Sequence, residues 1–212
     1  MRLLHIIATP RGNESNTLRI SHEFLESLRA AHPDAQVETL DLFAEDLPAI
    51  AGRNIESKYA LMAGQPIGHR HTEAWKRVEA LIEQFLAADV HLLSTPMWNF
   101  GIPYVLKYYI DSIVQMGYLF EINEQGIPVG LCQGKRIVCV TTRGSDYSAG
   151  SPMEALDLQE GYLRTIFGFI GIEMQFIHAQ PMDYTPELRE SAISAAIERA
   201  RTVANQLESV AF

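Results

Sequence analysis

Three short stretches hold most of the side chains with chemistry to offer. The first, residues 9–17, sets hydroxyls at Thr9, Ser15 and Thr17 beside Arg11 and Asn16. The second, Pro96-Met97-Trp98-Asn99-Phe100, places a thioether, two aromatic rings and an amide in succession, and the third is Thr142-Arg143-Gly144-Ser145. Hydroxyls at the start of a helix suit a phosphate, because the first amides of any helix lack intrahelical acceptors and lie at the positive end of its dipole. Aromatic rings offer a platform, and polar groups after a strand can address a ring's edge. Together these describe a site for a flat heteroaromatic nucleotide. Taken alone, the first stretch reads equally well as an ordinary turn in which Ser15 caps its own helix.

The elements that must position these stretches alternate between strand and helix patterns. Apolar runs at 3–8, 90–95 and 136–142 read as buried strands, with a less buried strand at 36–41 and a fifth at 173–179. Between them, helical spacing of apolar residues marks 16–31, a helix capped by Thr72 and running to 88, one opened by Pro103 and running to about 116, one over 156–169 stopped by Gly171, and a last one over 187–207. This alternation predicts an α/β fold in a single domain: a doubly wound, five-stranded parallel sheet with helices on both faces. Two departures are expected. Turn residues at 123–126 suggest a small hairpin between 118–121 and 127–130. The stretch 43–71, with Pro48, Gly52, Gly64, Pro66 and Gly68, reads as an excursion with a short helix near 56–62. In such sheets ligands bind beyond the carboxyl ends of the strands, near the point where strand order reverses. All three chemical stretches follow strands.

Two better-known phosphate motifs fail. No Gly-Lys-Ser or Gly-Lys-Thr stands at the first helix start, and Gly12 is the lone glycine where a dinucleotide fingerprint needs three. Asp41 therefore reads as a turn residue rather than a ribose ligand. The formal charge of −9 and the scatter of Arg and Lys argue against a nucleic-acid surface. No run reaches the ~18 apolar residues of a membrane span, and the N-terminal stretch has no signal-peptide core, so the expectation is a cytoplasmic protein. Cys132 and Cys139 read as a loop thiol and a core thiol rather than a disulfide. His69 and His71 have no acidic or thiol partner at ligand spacing, so no metal is expected there. His5, His91 and His178 read as strand residues with satisfied rings.

Thr9-Pro10-Arg11 followed by Ser15-x-Thr17, then the run from Pro96 to Pro103, then Thr142 to Ser145, and Tyr162 with Gly168-Phe169-Ile170-Gly171, resemble the FMN-dependent NADH azoreductases, relatives of the flavodoxin-like NAD(P)H:quinone reductases. The resemblance runs over nearly the whole chain. It implies a flavodoxin-like fold, a homodimer with its active sites at the interface, and two-electron ping-pong hydride transfer from NADH or NADPH to quinones and azo compounds. Carried over by position, it puts Thr9, Arg11, Ser15, Asn16 and Thr17 around the FMN phosphate. Pro96, Met97, Trp98, Asn99 and Phe100 would run along the isoalloxazine, with Thr142, Arg143, Gly144 and Ser145 at its pyrimidine side. Trp98, Phe120, Ile122, Tyr147 and Ile166 would form the substrate pocket. The chain departs from common family residues by Thr for Ser at 9 and 17, Trp for Tyr at 98, and Ile122 where an aromatic can stand. With the flavin carrying the chemistry, no catalytic side chain is expected. Two rival readings are a flavodoxin-like one-electron carrier and an acyl-carrier-protein phosphodiesterase. The second lacks any Ser, His and Asp arrangement or metal ligand set.

Overall fold

The chain's computed structural model describes residues 1–51, 53–65 and 73–207. Five strands form one parallel sheet: β1 (Arg2–Ile7), β2 (Gln36–Asp41), β3 (Val90–Pro96), β6 (Arg136–Thr142) and β7 (Glu173–Ala179), in the order β2-β1-β3-β6-β7. This is the flavodoxin-type order, in which strand succession reverses between β1 and β3. The register aligns the carboxyl ends. Ile7 lies beside both Asp41 and Ser94, and Thr142 lies beside both Pro96 and Ala179. The connections that leave these strands therefore share one rim.

Alternation along each strand divides the core. Leu4, Ile6, Leu93, Ile137 and Cys139 face one side, where they pack with α3 (Glu73–Ala87), α4 (Tyr104–Ile113) and α5 (Leu158–Phe169). Leu3, Val90, Leu92, Val138 and Val140 face the other, against α1 (Asn16–Ala31) and α6 (Pro186–Gln206). With both faces covered, β3 and β6 need apolar residues at successive positions, which is why their sequences read as unbroken runs. β2 is an edge strand and buries chiefly Leu40.

The helix starts follow capping chemistry. Ser15 Oγ accepts from the Leu18 amide, Asp157 Oδ1 from the Glu160 amide and Thr185 Oγ1 from the Leu188 amide. Pro103 stands just before α4 rather than inside it, and α4 ends at Ile113, earlier than its periodicity suggested. The last helix starts one residue earlier than expected, at Pro186. α5 ends in a paired closure: the Gly171 amide donates to Gly168 and the Ile172 amide to Phe167, with Gly171 at φ +91°. The short helix α2 (Arg53–Met62) lies in the excursion after β2. The Thr72 cap and the pair His69 and His71 lie outside the described residues.

The expected hairpin forms from β4 (Phe120–Ile122) and β5 (Pro128–Gly130). It docks where α5 ends: a Cβ on Gly130 would fall onto the Ile170 backbone, and the Cys132 amide donates to the Ile170 carbonyl at 2.9 Å. The hairpin thus sits at the amino rim of the sheet, at the far end of α5 from the carboxyl rim. Cys132 lies in a loop, as expected, yet it is as buried as Cys139, and both are free thiols. Burial pushes the Cys132 thiol up to about 11 and the Cys139 thiol further in the same direction.

Candidate functional site

At the carboxyl rim, between the ends of β1, β3 and β6, lies a cleft of about 310 Å³. One end is built by the turn from β1 into α1. Thr9, Ser15 and Thr17 are buried, with their oxygens held in pairs: Thr9 Oγ1 lies 3.3 Å from Ser15 Oγ, and Thr17 Oγ1 lies 2.8 Å from Thr142 Oγ1. Ser15 caps α1 through the Leu18 amide and also lines the cleft. The amides of Asn16 and Thr17, in the first turn of α1, have no intrahelical acceptor. Arg11 and Arg189 complete this end. Arg11 is exposed and 3.9 Å from Glu14, while Arg189 donates through Nε to the Met182 carbonyl at 2.7 Å. Of the charged residues that line the cleft, Arg143 is paired with Asp157 beneath the loop, which leaves Arg11 and Arg189 beside the one carboxylate, Asp183. In a chain of net charge −9 this is a local reversal, suited to an anion.

The wall of the cleft is the run after β3. The Met97 amide donates to the Thr142 carbonyl at 2.9 Å, which fastens the run to β6. Trp98 and Gly101 then exchange amide hydrogen bonds across a two-residue turn whose central residues, Asn99 and Phe100, have φ of +47° and +68°. Positive φ is ordinary for Asn and costly for Phe, of order 1–2 kcal/mol. The Trp98 ring does not stand alone. It packs against Phe43 at 6.0 Å and Tyr104 at 6.5 Å between centroids, so the start of the excursion and the start of α4 both buttress it.

The third stretch behaves differently from its expectation in one respect. The Arg143 side chain is 1% exposed and turned beneath the loop, with Nη1 2.8 Å from Asp157 Oδ2 and Nη2 3.5 Å from Glu160 Oε2. Its guanidinium is thereby engaged inside the protein. Beside it, His178 Nε2 lies 3.1 Å from Glu160 Oε2 without hydrogen-bond alignment. Burial first, and then the Arg143 charge, hold this imidazole down at about 4, so it is neutral at neutral pH. Gly144 follows at the cleft, where a Cβ would crowd the Asp183 carboxylate.

Eleven predicted residues line one cleft: Thr9, Arg11, Ser15, Asn16, Thr17, Pro96, Met97, Trp98, Thr142, Arg143 and Gly144. Asn99, Phe100 and Ser145 stand next to it in sequence. A family whose profile is described as a flavodoxin-like fold matches residues 1–204. An FMN-dependent NADH:quinone oxidoreductase of Pseudomonas fluorescens is 40% identical over 211 residues, 97% of each chain. The chain belongs to the flavodoxin-like FMN-dependent NADH:quinone oxidoreductase family. Among solved structures, an azoreductase from Bacillus anthracis strain Sterne matches at a TM-score of 0.87 and 29% identity, over 98% of this chain and 100% of that one. An FMN-dependent NADH-azoreductase from the Ames Ancestor strain, solved in complex with FMN, matches at a TM-score of 0.83 and 26% identity, over 96% and 99%.

Two groups of residues in this oxidoreductase-family chain depart from the sequence reading. Of the predicted substrate pocket, Trp98 alone lines the cleft. Phe120 packs on Phe169 at 4.9 Å and Ile122 is exposed on the hairpin, both at the opposite rim. Ile166 packs against the core from α5, and the Tyr147 amide is held by Gln180. Within one chain these residues do not converge, because the hairpin is tied to the wrong end of α5 to reach its own cleft. Conversely, Met182, Asp183 and Arg189 line the cleft unforeseen. They follow β7, the neighbour of β6, and the signal was positional: the connection after β7 leaves the same carboxyl rim as the three chemical stretches.

Proposed function

We propose that this chain is an FMN-dependent NAD(P)H:quinone oxidoreductase that also accepts azo compounds, working as a homodimer in the cytoplasm. When bound, FMN supplies the two-electron chemistry between a nicotinamide and the acceptor. The chain's residues have to hold, orient and partly cover it. The buried hydroxyls of Thr9, Ser15 and Thr17, the first amides of α1 and the Arg11 and Arg189 charges fit a phosphate. The Pro96 to Phe100 wall fits a ring laid against it, with the Asn99 amide and the Gly144 and Ser145 backbone available to its polar edges. Donors at that side favour negative charge on the reduced ring. The observation that carries the reading is this pairing, in one cleft, of an anion-binding helix start with an aromatic-backed wall.

The proposed dimer rests on exposure. Tyr104 is 71% and Leu158 61% exposed, beside Phe100, Tyr108 and Phe169 on and around α4 and α5. Gly161 and Gly168 leave open space along α5. Apolar side chains clustered in this way mark a surface that another chain covers. A second copy there would let a hairpin carrying Phe120 and Ile122 reach the cleft of the other copy, which is the assembly that the predicted substrate pocket requires. A one-electron carrier needs no such covered pocket, and the cleft lacks the nucleophile and base of a phosphodiesterase.

The decisive experiment is a spectrum of the purified protein followed by anaerobic mixing. Yellow protein with releasable FMN, bleached by NADH and recoloured by a benzoquinone, is the expected result. Protein that is colourless and takes up no added FMN overturns the proposal. Equal rates with NADH and NADPH would mean that the protein does not discriminate between the two donors.

A further inference from the structure

Four consecutive residues at the start of α5 reach two separate segments of the cleft region, the wall after β3 and the end of β6 with its loop, without forming part of the lining. Asp157 accepts from Arg143, and Glu160 lies against the same guanidinium. The Leu158 amide donates to the Phe100 carbonyl at 3.1 Å, fixing the far side of the strained turn. Gln159, fully buried, uses both ends of its amide: Oε1 accepts from Thr141 Oγ1 at 2.7 Å and Nε2 donates to the Pro96 carbonyl at 2.9 Å.

We infer that the first turn of α5 is a bracket that sets the ring-side wall, 96–101, against the loop after β6, and that Gln159 is its positioning residue. The argument is one of degrees of freedom. Pro96 has no amide hydrogen, so its carbonyl is the one backbone group it can use to fix the point where β3 gives way to the wall. Gln159 donates to that carbonyl at 2.9 Å, closer than the 3.3 Å of the adjacent Thr95 Oγ1, and is itself held at a fixed rotamer by Thr141, the residue before the third chemical stretch. Asp157 and Glu160 hold the side chain of Arg143 on the other side of Thr142. The wall and the loop, which flank the proposed ring, are thereby tied to one rigid helix start rather than only to each other through Met97 and Thr142. Groups that support a binding residue in this manner fix geometry to within a fraction of an ångström. A buried glutamine whose both ends are satisfied also resists movement, since any displacement leaves a polar group unpaired.

The inference deepens the proposed function and rests on it for the ring, but not for the bracket. Its test uses Gln159→Met, which keeps the shape and removes both hydrogen bonds, and Thr141→Val, an isostere that frees the other end and folds as a strand residue. In the FMN-free full chain, hydrogen exchange at the Met97 and Gly101 amides should quicken at least ten-fold in Gln159→Met and less in Thr141→Val, with Leu92 and Val138 unchanged. With FMN added, Gln159→Met should raise the dissociation constant about ten-fold and alter the visible circular dichroism of the flavin. Unchanged exchange at Met97 and Gly101 overturns the bracket whether or not FMN binds. A lowered melting temperature with wild-type affinity and flavin dichroism reduces Gln159 to a core residue and likewise overturns it. Wild-type protein that fails to bind FMN counts against the proposed function, while the exchange measurement still decides the bracket.

Discussion

Ser15, the cap, and Thr17, in the first turn, stand two residues apart at the same helix start, but their hydroxyls have different obligations. Ser15 Oγ caps α1 through the Leu18 amide, whereas Thr17 Oγ1 joins Thr142 across the cleft floor. Thr17→Val keeps the branched shape and removes the link, so FMN affinity should fall about ten-fold with little change in melting temperature, as read by flavin fluorescence and thermal denaturation. Ser15→Val loses the cap as well, and a further ~1 kcal/mol of stability should go with it in a denaturant titration. Phe100 presents the reverse case. Its φ of +68° is unfavourable for a bulky side chain and its ring is substantially exposed, so Phe100→Gly removes strain at little cost in burial. Part of that gain is offset by the looser unfolded chain. The expected outcome is a melting temperature equal to or slightly above wild type together with slower quinone turnover, and a loss of more than ~1 kcal/mol would mean that the ring is needed for folding. The sequence reading placed no turn at Asn99, and nothing in residue types announced a left-handed Phe after it.

At the scale of elements, the sequence located α1, β2, β6 and β7 at their observed bounds, because α1 has apolar residues at helical spacing and a cap, β6 is an apolar run, and β2 and β7, though mixed in polarity, are set off by turn residues. It missed the lengths of α4 and the lead-in to α5, where Glu154–Leu156 forms a separate 3-10 turn before the Asp157 cap. It also missed the bracket, since a glutamine inside a helix has no pattern that separates a buried tie from a solvated side chain. The hairpin was legible as a hairpin but not in its docking, which depends on backbone contact with Ile170 at a distance of forty residues in sequence. That contact makes a test. Gly130→Ala puts a methyl onto the Ile170 backbone, and neither main chain can yield without breaking the Cys132 to Ile170 hydrogen bond. The expected variant keeps FMN, whose cleft is at the other rim, and loses quinone turnover and the dimer together, measured by flavin content, steady-state assay and gel filtration. Full activity in a monomeric variant would remove the hairpin from the substrate pocket.

For the whole molecule, the rim that carries the cleft could be named from the sequence because parallel topology puts the loops after β1, β3 and β6 there, whereas the spacing of one chain says nothing of where Phe120 and Ile122 would meet a second copy, and within one chain they lie at the other rim. Stability against acid also belongs to this scale, since the one sheet carries three strand histidines, of which His5 and His91 are buried and His178 is half-buried. His5 shares a 2.8 Å hydrogen bond with Ser94, His91 stacks on Phe85 at 4.1 Å, and His178 lies beside Arg143. Burial is the leading cause that lowers each to about 4, from an ordinary value of 6.5. In the unfolded chain the rings take up protons as pH falls through 6.5, while in the folded chain they stay neutral until about 4. The stability they allow is therefore complete above 6.5 and lost progressively between 6.5 and 4, by up to about 3 kcal/mol for each fully buried ring. Over the same interval the net charge of −9 shrinks, which alone would ease self-repulsion and raise stability. A urea midpoint that falls from pH 7 to pH 5 thus has the sign of the histidines and not of the global charge. His5→Gln, able to keep a bond to Ser94, should flatten the profile by one ring's share, and a midpoint that rises on acidification would show that these imidazoles already charge in the folded protein.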